Sequence, residues 1–176
     1  MKLGILIIYS VLFSVNAYSE SLDESIEYGK LLAESVKSKK EIKLNKLAEY
    51  KEIKAFLKEN KCSGFKYRAY IVGEDSSQKI YLIASKGKNV VLGRHFSAPY
   101  TNKKVDMSGM ESSTNGCLDL GPVKDGVAGM FATHLKPIPN EFHVLESSIN
   151  NITLYVGTKE GMYIVKNEEI TLSEKE

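Results

Sequence analysis

The sequence lacks most of the features that mark common functional classes. It contains no tryptophan, two cysteines, three histidines and four prolines in 176 residues, and its basic and acidic residues nearly balance at 24 and 22. This composition excludes collagen-like, low-complexity and strongly disordered chains. The near balance of charge argues against a dedicated nucleic-acid binder, which carries clustered basic residues. The length suits a domain with one hydrophobic core.

Recognised catalytic and cofactor motifs are missing as well. The chain has no Gly-x-Ser-x-Gly elbow, no P-loop, no dinucleotide fingerprint and no His-Glu-x-x-His zinc motif. We therefore predict no cofactor. Whether the protein is an enzyme stays open, and the absence of a motif favours a binding role.

The N-terminus has the pattern of a secretory signal peptide. Lys2 precedes an apolar stretch from Leu3 to Val15, and small residues up to Ala17 suit cleavage by a signal peptidase. The alternative is a membrane anchor, but a helix of this length rises only about 20 Å against a hydrocarbon core of about 30 Å. We predict a signal peptide over residues 1–17 and a periplasmic or secreted product without stable membrane insertion.

Export gives meaning to the two cysteines, Cys62 and Cys117. In an oxidising compartment an even pair is most simply a disulfide. The alternatives are a nucleophilic thiol activated by a histidine, or a metal site. Neither cysteine lies in a motif for such chemistry, and the Cys-x-x-Cys spacing is absent. We predict a Cys62–Cys117 disulfide.

The N-terminal part of the mature chain is predicted to be helical over residues 21–59. Ser21 and Glu24 have the spacing of a capping box, and apolar residues then recur at helical intervals. A second apolar stripe follows a polar break near residues 38–43. We predict helices at 21–37 and 44–59, with one long helix as the alternative. Interleaved lysines and glutamates indicate a solvated face.

The remainder, residues 64–172, is predicted to be rich in β-strands. Alternation of period two predicts strands at 65–71, 79–85, 90–96, 127–135, 141–147, 152–157, 162–166 and 170–172. Short connections require antiparallel neighbours, and Asn150 with Asn151 suits a tight hairpin. The predicted fold is α+β, a single domain over residues 18–176 in which N-terminal helices pack on an antiparallel β-meander sheet of six to eight strands.

One cluster of residues could support catalysis. On a strand, Glu141 and His143 share a face because they are two residues apart. A hairpin register in which paired positions sum to 277 places His134 opposite His143, whereas a sum of 276 separates them. Together, His134, Glu141 and His143 could bind zinc or transfer protons. The alternative is that the histidines only form hydrogen bonds on a half-buried sheet.

A second candidate site is the segment 97–116, which has no clear periodicity and is typical of a binding loop. It contains Tyr100, Asp106 and Glu111, and Tyr70, which lies on the same face as the charged residues of the predicted strand 65–71, is expected to be exposed as well. Tyrosine offers a large apolar area with a polar tip, which suits interfaces. We therefore predict binding residues at these four positions.

The favoured function is a small exported binding protein. It would engage or inhibit another exported protein through residues 97–116, with no nucleic-acid partner. One alternative is a hydrolase or metal-dependent enzyme centred on His134, Glu141 and His143. Another is a domain that holds a small apolar ligand between helices and sheet.

Overall fold

The computed structural model describes residues 21–74 and 77–173. The predicted signal peptide lies outside the described residues. Within them, two short 3-10 helices at Leu44–Lys46 and Met107–Gly109 accompany the following elements: α1 (Leu22–Lys37), α2 (Tyr50–Asn60), β1 (Lys66–Val72), β2 (Lys79–Ser85), β3 (Asn89–Val91), β4 (Phe96–Thr101), β5 (Lys104–Val105), β6 (Glu111–Ser112), β7 (Asp119–Pro122), β8 (Gly129–Thr133), α3 (Glu141–Asn150), β9 (Thr153–Gly157), β10 (Met162–Lys166) and β11 (Glu169–Leu172).

The first helix begins where its cap predicts. The Ser21 hydroxyl accepts a hydrogen bond from the Glu24 amide at 3.1 Å, which satisfies one of the free amides of the first turn. The chain leaves the helix after Lys37, and Lys39 adopts a left-handed backbone with φ of 55°. Two helices therefore form rather than one, and α2 starts at Tyr50 because the preceding residues form a 3-10 turn.

A five-stranded antiparallel sheet has both faces covered. Its strands run in the order β1-β2-β4-β5, and β6 also pairs with β4. On one face, Tyr81 and Ile83 pack with Leu32 of α1 and with α3. On the opposite face, Ile80 and the other apolar side chains that point to that face pack with α2. The sheet therefore lies between helices and is buried on both sides.

The chain then forms a second sheet through a helical crossover. Four strands run in the order β11-β10-β9-β8, and β8 and β9 are parallel because α3 connects them. The predicted strand at 141–147 is therefore wrong, since those residues form a helix. They are buried on every side of that helix, which removes the amphipathic period by which sequence distinguishes helix from strand. Asn151 has φ of 50° and ends α3 instead of turning a hairpin.

The α+β class is confirmed, with helices packed on largely antiparallel sheets. The strands divide into sheets of five, four and two members, the smallest being β3 paired with β7. Helix α3 lies between the two larger sheets, because its Phe142 and Leu145 pack in one core and its Val144 packs in the other. Helix α3 therefore contributes side chains to both cores.

The predicted disulfide is present. Cys62 and Cys117 are bonded, with their Cα atoms 5.9 Å apart. The bond joins the end of α2 to the segment before β7. None of the helices among the described residues is long and apolar enough to cross a membrane.

Close packing of α1 on α3 depends on Gly29. A Cβ atom at this position would lie 2.4 Å from Val144 Cβ and 3.0 Å from the Glu141 carbonyl oxygen. Gly29→Ala is therefore expected to lower the free energy of unfolding by roughly 1–3 kcal/mol through overpacking. This is the net loss expected after the gain of about 1 kcal/mol that alanine brings to a helix interior.

Urea unfolding followed by circular dichroism measures this effect. Lys30→Ala, at the exposed neighbouring position of the same helix, is the control and should unfold almost as the wild type does. A Gly29→Ala variant as stable as the wild type would show that the two helices can separate without cost.

Candidate functional site

All three histidines of the chain lie around the first turns of α3. His134 follows β8, and its amide donates a hydrogen bond to the Gly157 carbonyl at 2.8 Å. Its ring meets the ring of His143 edge to face, with centroids 4.8 Å apart. His95 stacks on Phe142 of the same helix, also at 4.8 Å. The fold thus brings together side chains that are far apart in sequence.

His95 is fully engaged in the structure. Its Nδ1 accepts a hydrogen bond from the Ala84 amide at 3.1 Å, so its Nε2 carries the proton and donates to the Val91 carbonyl at 2.6 Å. Burial lowers the pKa of His95 to about 4. This neutral histidine links β2 to the end of β3, and both ring nitrogens are used for that purpose.

His134 and His143 form a pair of neutral histidines. The Asn140 amide donates to His143 Nδ1 at 3.1 Å, which helps to start α3. Burial and the neighbouring His134 lower the pKa of His143 to about 3, and burial with nearby Lys136 lowers the pKa of His134 to about 4. Within the described chain, His134 Nε2 and Asn140 Oδ1 are buried without a hydrogen-bond partner.

Two of the predicted catalytic residues, His134 and His143, are therefore in contact, but in a closed environment. The crossover of α3, not a hairpin register, brings His134 to His143, and Glu141 lies in the first turn of the same helix. All three side chains are buried. No group of three histidine, cysteine, aspartate or glutamate residues in segments 21–74 and 77–173 could hold a metal ion. The three side chains therefore have little surface exposed to solvent.

Glu146 is a buried acid that the sequence reading missed. Its Oε2 accepts hydrogen bonds from the Val91 amide at 3.2 Å and from Asn150 Nδ2 at 2.9 Å. Burial raises the pKa of Glu146 to about 8, so the carboxyl group is largely protonated at neutral pH. It connects α3 to β3. The sequence has no local signal for this residue, because its burial comes from contacts with distant strands.

The segment 97–116 has regular structure over much of its length. Strands β4 and β5 form a hairpin whose turn residues, Asn102 and Lys103, both have positive φ. Asp106 is exposed, and its Oδ1 accepts hydrogen bonds from the amides of Ser108 and Gly109 at 3.0 and 3.3 Å. Glu111 is exposed on β6 opposite Ser97. The prediction of an irregular loop is wrong because short strands carry too few residues to show a period.

The two predicted tyrosines are not surface anchors. Tyr70 is 2% exposed, so its predicted exposure is wrong: α1 and α3 cover the sheet face that sequence alternation assigned to solvent. Tyr100 is half-buried on β4 and packs at the edge of the core beneath α2. Neither side chain presents a full ring to a partner.

A polar groove of about 440 Å³ lies beside the C-terminal ends of α1 and α3. Two of its charged groups are paired: Lys37 Nζ lies 2.8 Å from Ser148 Oγ and 3.5 Å from Glu168 Oε1, and Lys166 also lines the groove. The Ser148 hydroxyl donates to that same Glu168 oxygen at 2.6 Å. Such a groove does not suit the small apolar ligand considered as one alternative, which needs an apolar lining.

The outer face of the four-stranded sheet is apolar and exposed. We use this name for the solvent-facing side chains of Phe131, Tyr155, Met162 and Ile164. The first three are 54%, 38% and 36% exposed, and Ile164 is partly exposed. Phe131 pairs with Tyr155, and Tyr155 with Ile164, so these three form one row across three strands. Leu135, two residues after β8, is 75% exposed.

Two glycines allow the aromatic rings of this face to lie against the backbone. A Cβ atom at Gly157 would lie 3.2 Å from the Phe131 ring, and one at Gly129 would lie 2.8 Å from the Tyr155 ring. Each ring therefore covers a glycine on the neighbouring strand, which fixes its orientation. The outer face is thus a preformed, ordered apolar surface.

No protein-family model, no curated protein and no solved structure matches this chain significantly. The function must therefore be argued from the residues themselves.

Proposed function

We propose that this protein is a small exported binding protein that engages another protein through the outer face. The observation that carries the proposal is the exposed row of Phe131, Tyr155 and Ile164. Isolated exposed apolar residues are ordinary, but adjacent ones on a rigid sheet are typical of interaction surfaces. Aromatic residues and methionine are also enriched at protein interfaces.

The other candidate surfaces support binding less well. The exposed residues at the tip of the β4–β5 hairpin are Asn102, Lys103 and Lys104, which are polar and long and lose side-chain entropy when ordered. In the groove beside Lys37, the lysine already forms an ion pair with Glu168. The histidine cluster is buried. The outer face alone among these combines large apolar area with fixed geometry.

Site-specific photo-crosslinking distinguishes the outer face from the hairpin segment 97–116. A photoreactive phenylalanine analogue is placed at Tyr155, or at Lys103 as the control, in cells that produce the protein. We expect the Tyr155 probe to yield an adduct with one defined exported protein, and the Lys103 probe to yield none. The adduct should disappear when Ile164→Ser is added.

The purified partner then provides the quantitative test. Tyr155→Ser combined with Ile164→Ser should weaken its affinity at least about tenfold, which corresponds to losing about 1.4 kcal/mol of binding energy. Lys103→Ser combined with Glu111→Ser should leave the affinity unchanged. The opposite pattern would move the binding surface to 97–116, and unchanged affinity in both variants would exclude both surfaces.

Export is the other half of the proposal. The pattern of residues 1–17 supports it, and the disulfide is compatible with an oxidising compartment. We expect N-terminal sequencing of the exported product to begin at Tyr18. Recovery of an intact Met1 on a cytosolic product with both thiols reduced would contradict export.

A further inference from the structure

Strand β8 is the edge of the four-stranded sheet, and its outer side has no partner among the described residues. The amide of His134 bonds to β9. Because successive residues of a strand alternate in direction, the N–H and C=O groups of Gly129, Phe131 and Thr133 point away from β9. This edge therefore offers a row of free backbone donors and acceptors.

The β8 edge lacks the protection that the edges β1 and β11 have. Strand β1 carries Lys66 and Arg68, and the Ile42 amide bonds to its Ala69 carbonyl at 2.8 Å. Strand β11 carries Glu169 at its start. By contrast, β8 has the sequence Gly-Met-Phe-Ala-Thr, with no charge and no proline. Unprotected edges of this kind pair with further strands.

We propose that β8 pairs antiparallel with β8 of a second copy of this chain, about a twofold axis at Phe131. In this register Gly129 lies opposite Thr133 of the second copy, and the two Phe131 residues lie opposite each other. All of these residues direct their backbone groups to the new partner, so the pairing forms about six hydrogen bonds. The two sheets become one sheet of eight strands.

Three observations favour a second copy over a foreign strand. First, an uncharged strand can pair with itself without opposing like charges. Second, a twofold axis at Phe131 pairs the outward-pointing residues of β8 only with outward-pointing residues of the second copy, so the strand is complementary to itself. Third, the same register places Leu135, which is 75% exposed, opposite Val127 of the second copy, which is 39% exposed. Each apolar residue that flanks the strand thereby gains an apolar neighbour.

Pairing also joins the two outer faces. The row of Ile164, Tyr155 and Phe131 continues directly into the same row of the second copy, in reverse order. The side chains of the outer face project from the sheet, whereas the new bonds lie in its plane, so the face stays accessible. The inference therefore does not depend on the proposed function, and self-association can be tested on purified protein alone.

Sedimentation equilibrium of the purified mature chain tests this pairing over a wide range of concentration. We expect the wild type to form a dimer, and Phe131→Lys and Phe131→Glu each to be monomeric because like charges meet at the twofold axis. An equimolar mixture of the two variants should restore the dimer. Thr133→Pro removes one outward amide and should weaken dimerisation at least about tenfold.

Two controls keep the test decisive. Lys103→Glu changes a charge on the distant hairpin turn and should leave the dimer intact, and circular dichroism should show that every variant is folded, since residue 131 is exposed. A wild type that is monomeric at every concentration would overturn the proposal, as would a dimer that persists in both charge variants or a mixture that fails to re-form it. A foreign protein that binds β8 in place of a second copy would also overturn it.

Discussion

Resistance to urea is expected to be greatest near about pH 7 and to fall on both sides of that value. The expectation rests on four buried titratable groups with opposite pKa shifts. His95, His134 and His143 have lowered pKa values of about 4, 4 and 3, and Glu146 has a raised pKa of about 8. Each proton taken up or released on unfolding changes the unfolding equilibrium constant about tenfold per pH unit.

The histidines determine the acid side. Unfolded histidine takes up a proton below about pH 6.5, whereas the folded protein keeps these three rings neutral until the pH approaches their lowered pKa values. Their contribution to stability is therefore complete by about pH 7.5 and is lost as the pH falls. Because Glu146 releases one proton, the net uptake on unfolding grows from less than one proton at pH 6.5 to about two at pH 5. The unfolding equilibrium constant should therefore rise about a hundredfold in total as the pH falls from 6.5 to 5.

Glu146 determines the alkaline side. Unfolded glutamate is ionised above about pH 4.5, but the buried carboxyl group keeps its proton up to about pH 8. Its contribution is therefore fully present below pH 4.5 and is lost as the pH rises to 8. Unfolded histidine is still half protonated at pH 6.5, so the histidines oppose this loss until about pH 7. From pH 7 to 9 the unfolding equilibrium constant should rise about fourfold in total.

Glu146→Gln isolates this contribution, because the amide keeps an acceptor for the Val91 amide and cannot ionise. The variant should lose the fall in stability between about pH 7 and 9, and its acid limb should become steeper by one proton. Urea unfolding followed by circular dichroism from pH 5 to 9 measures both effects. Glu169→Gln on β11 is the exposed control and should follow the wild type. Persistence of the alkaline fall in Glu146→Gln would show that another group is responsible.

Sequence patterns predicted the elements that keep one solvent-facing side, and also those that have a capping residue or turn residues at their ends. The Ser21 cap placed the start of α1, and residues 79–85 and 162–166 were predicted as strands with the bounds of β2 and β10. Alternation failed where both faces are buried. Tyr70 reads as a solvent-facing residue beside Arg68, yet α1 and α3 cover it, because the partner of a sheet face is decided by residues far away in the chain.

The candidate site was predictable only in part for the same reason. His134 and His143 are in contact, but His143 lies on a helix whose residues were predicted to form a strand. Glu146 went unnoticed because its importance comes from burial between two sheets. The outer face was also missed: Phe131 and Tyr155 each sit in an ordinary apolar strand, and only the register across β8 and β9 makes them neighbours. Such non-local pairing leaves no signature in one segment.

Loss of the Cys62–Cys117 disulfide is expected to lower the free energy of unfolding by about 4 kcal/mol. The two residues are 55 positions apart, and cross-linking a loop of that length removes a corresponding amount of chain entropy from the unfolded state. The loss should be uneven, because α2 has few other attachments: Ile53 and Leu57 are its buried side chains. Hydrogen exchange in α2 should accelerate more than exchange in β2, which is buried between helices.

Cys62→Ala combined with Cys117→Ser tests this expectation, since Cys62 is buried and Cys117 is exposed. Urea unfolding gives the change in free energy, and Ser63→Ala is the control beside the bond. Backbone hydrogen bonds hold the far end independently, because the amides of Leu92 and Gly93 both donate to the Leu118 carbonyl. The variant should therefore still fold, with α2 less protected. If α2 kept its protection, its apolar contacts rather than the covalent bond would be what fixes it to the sheet.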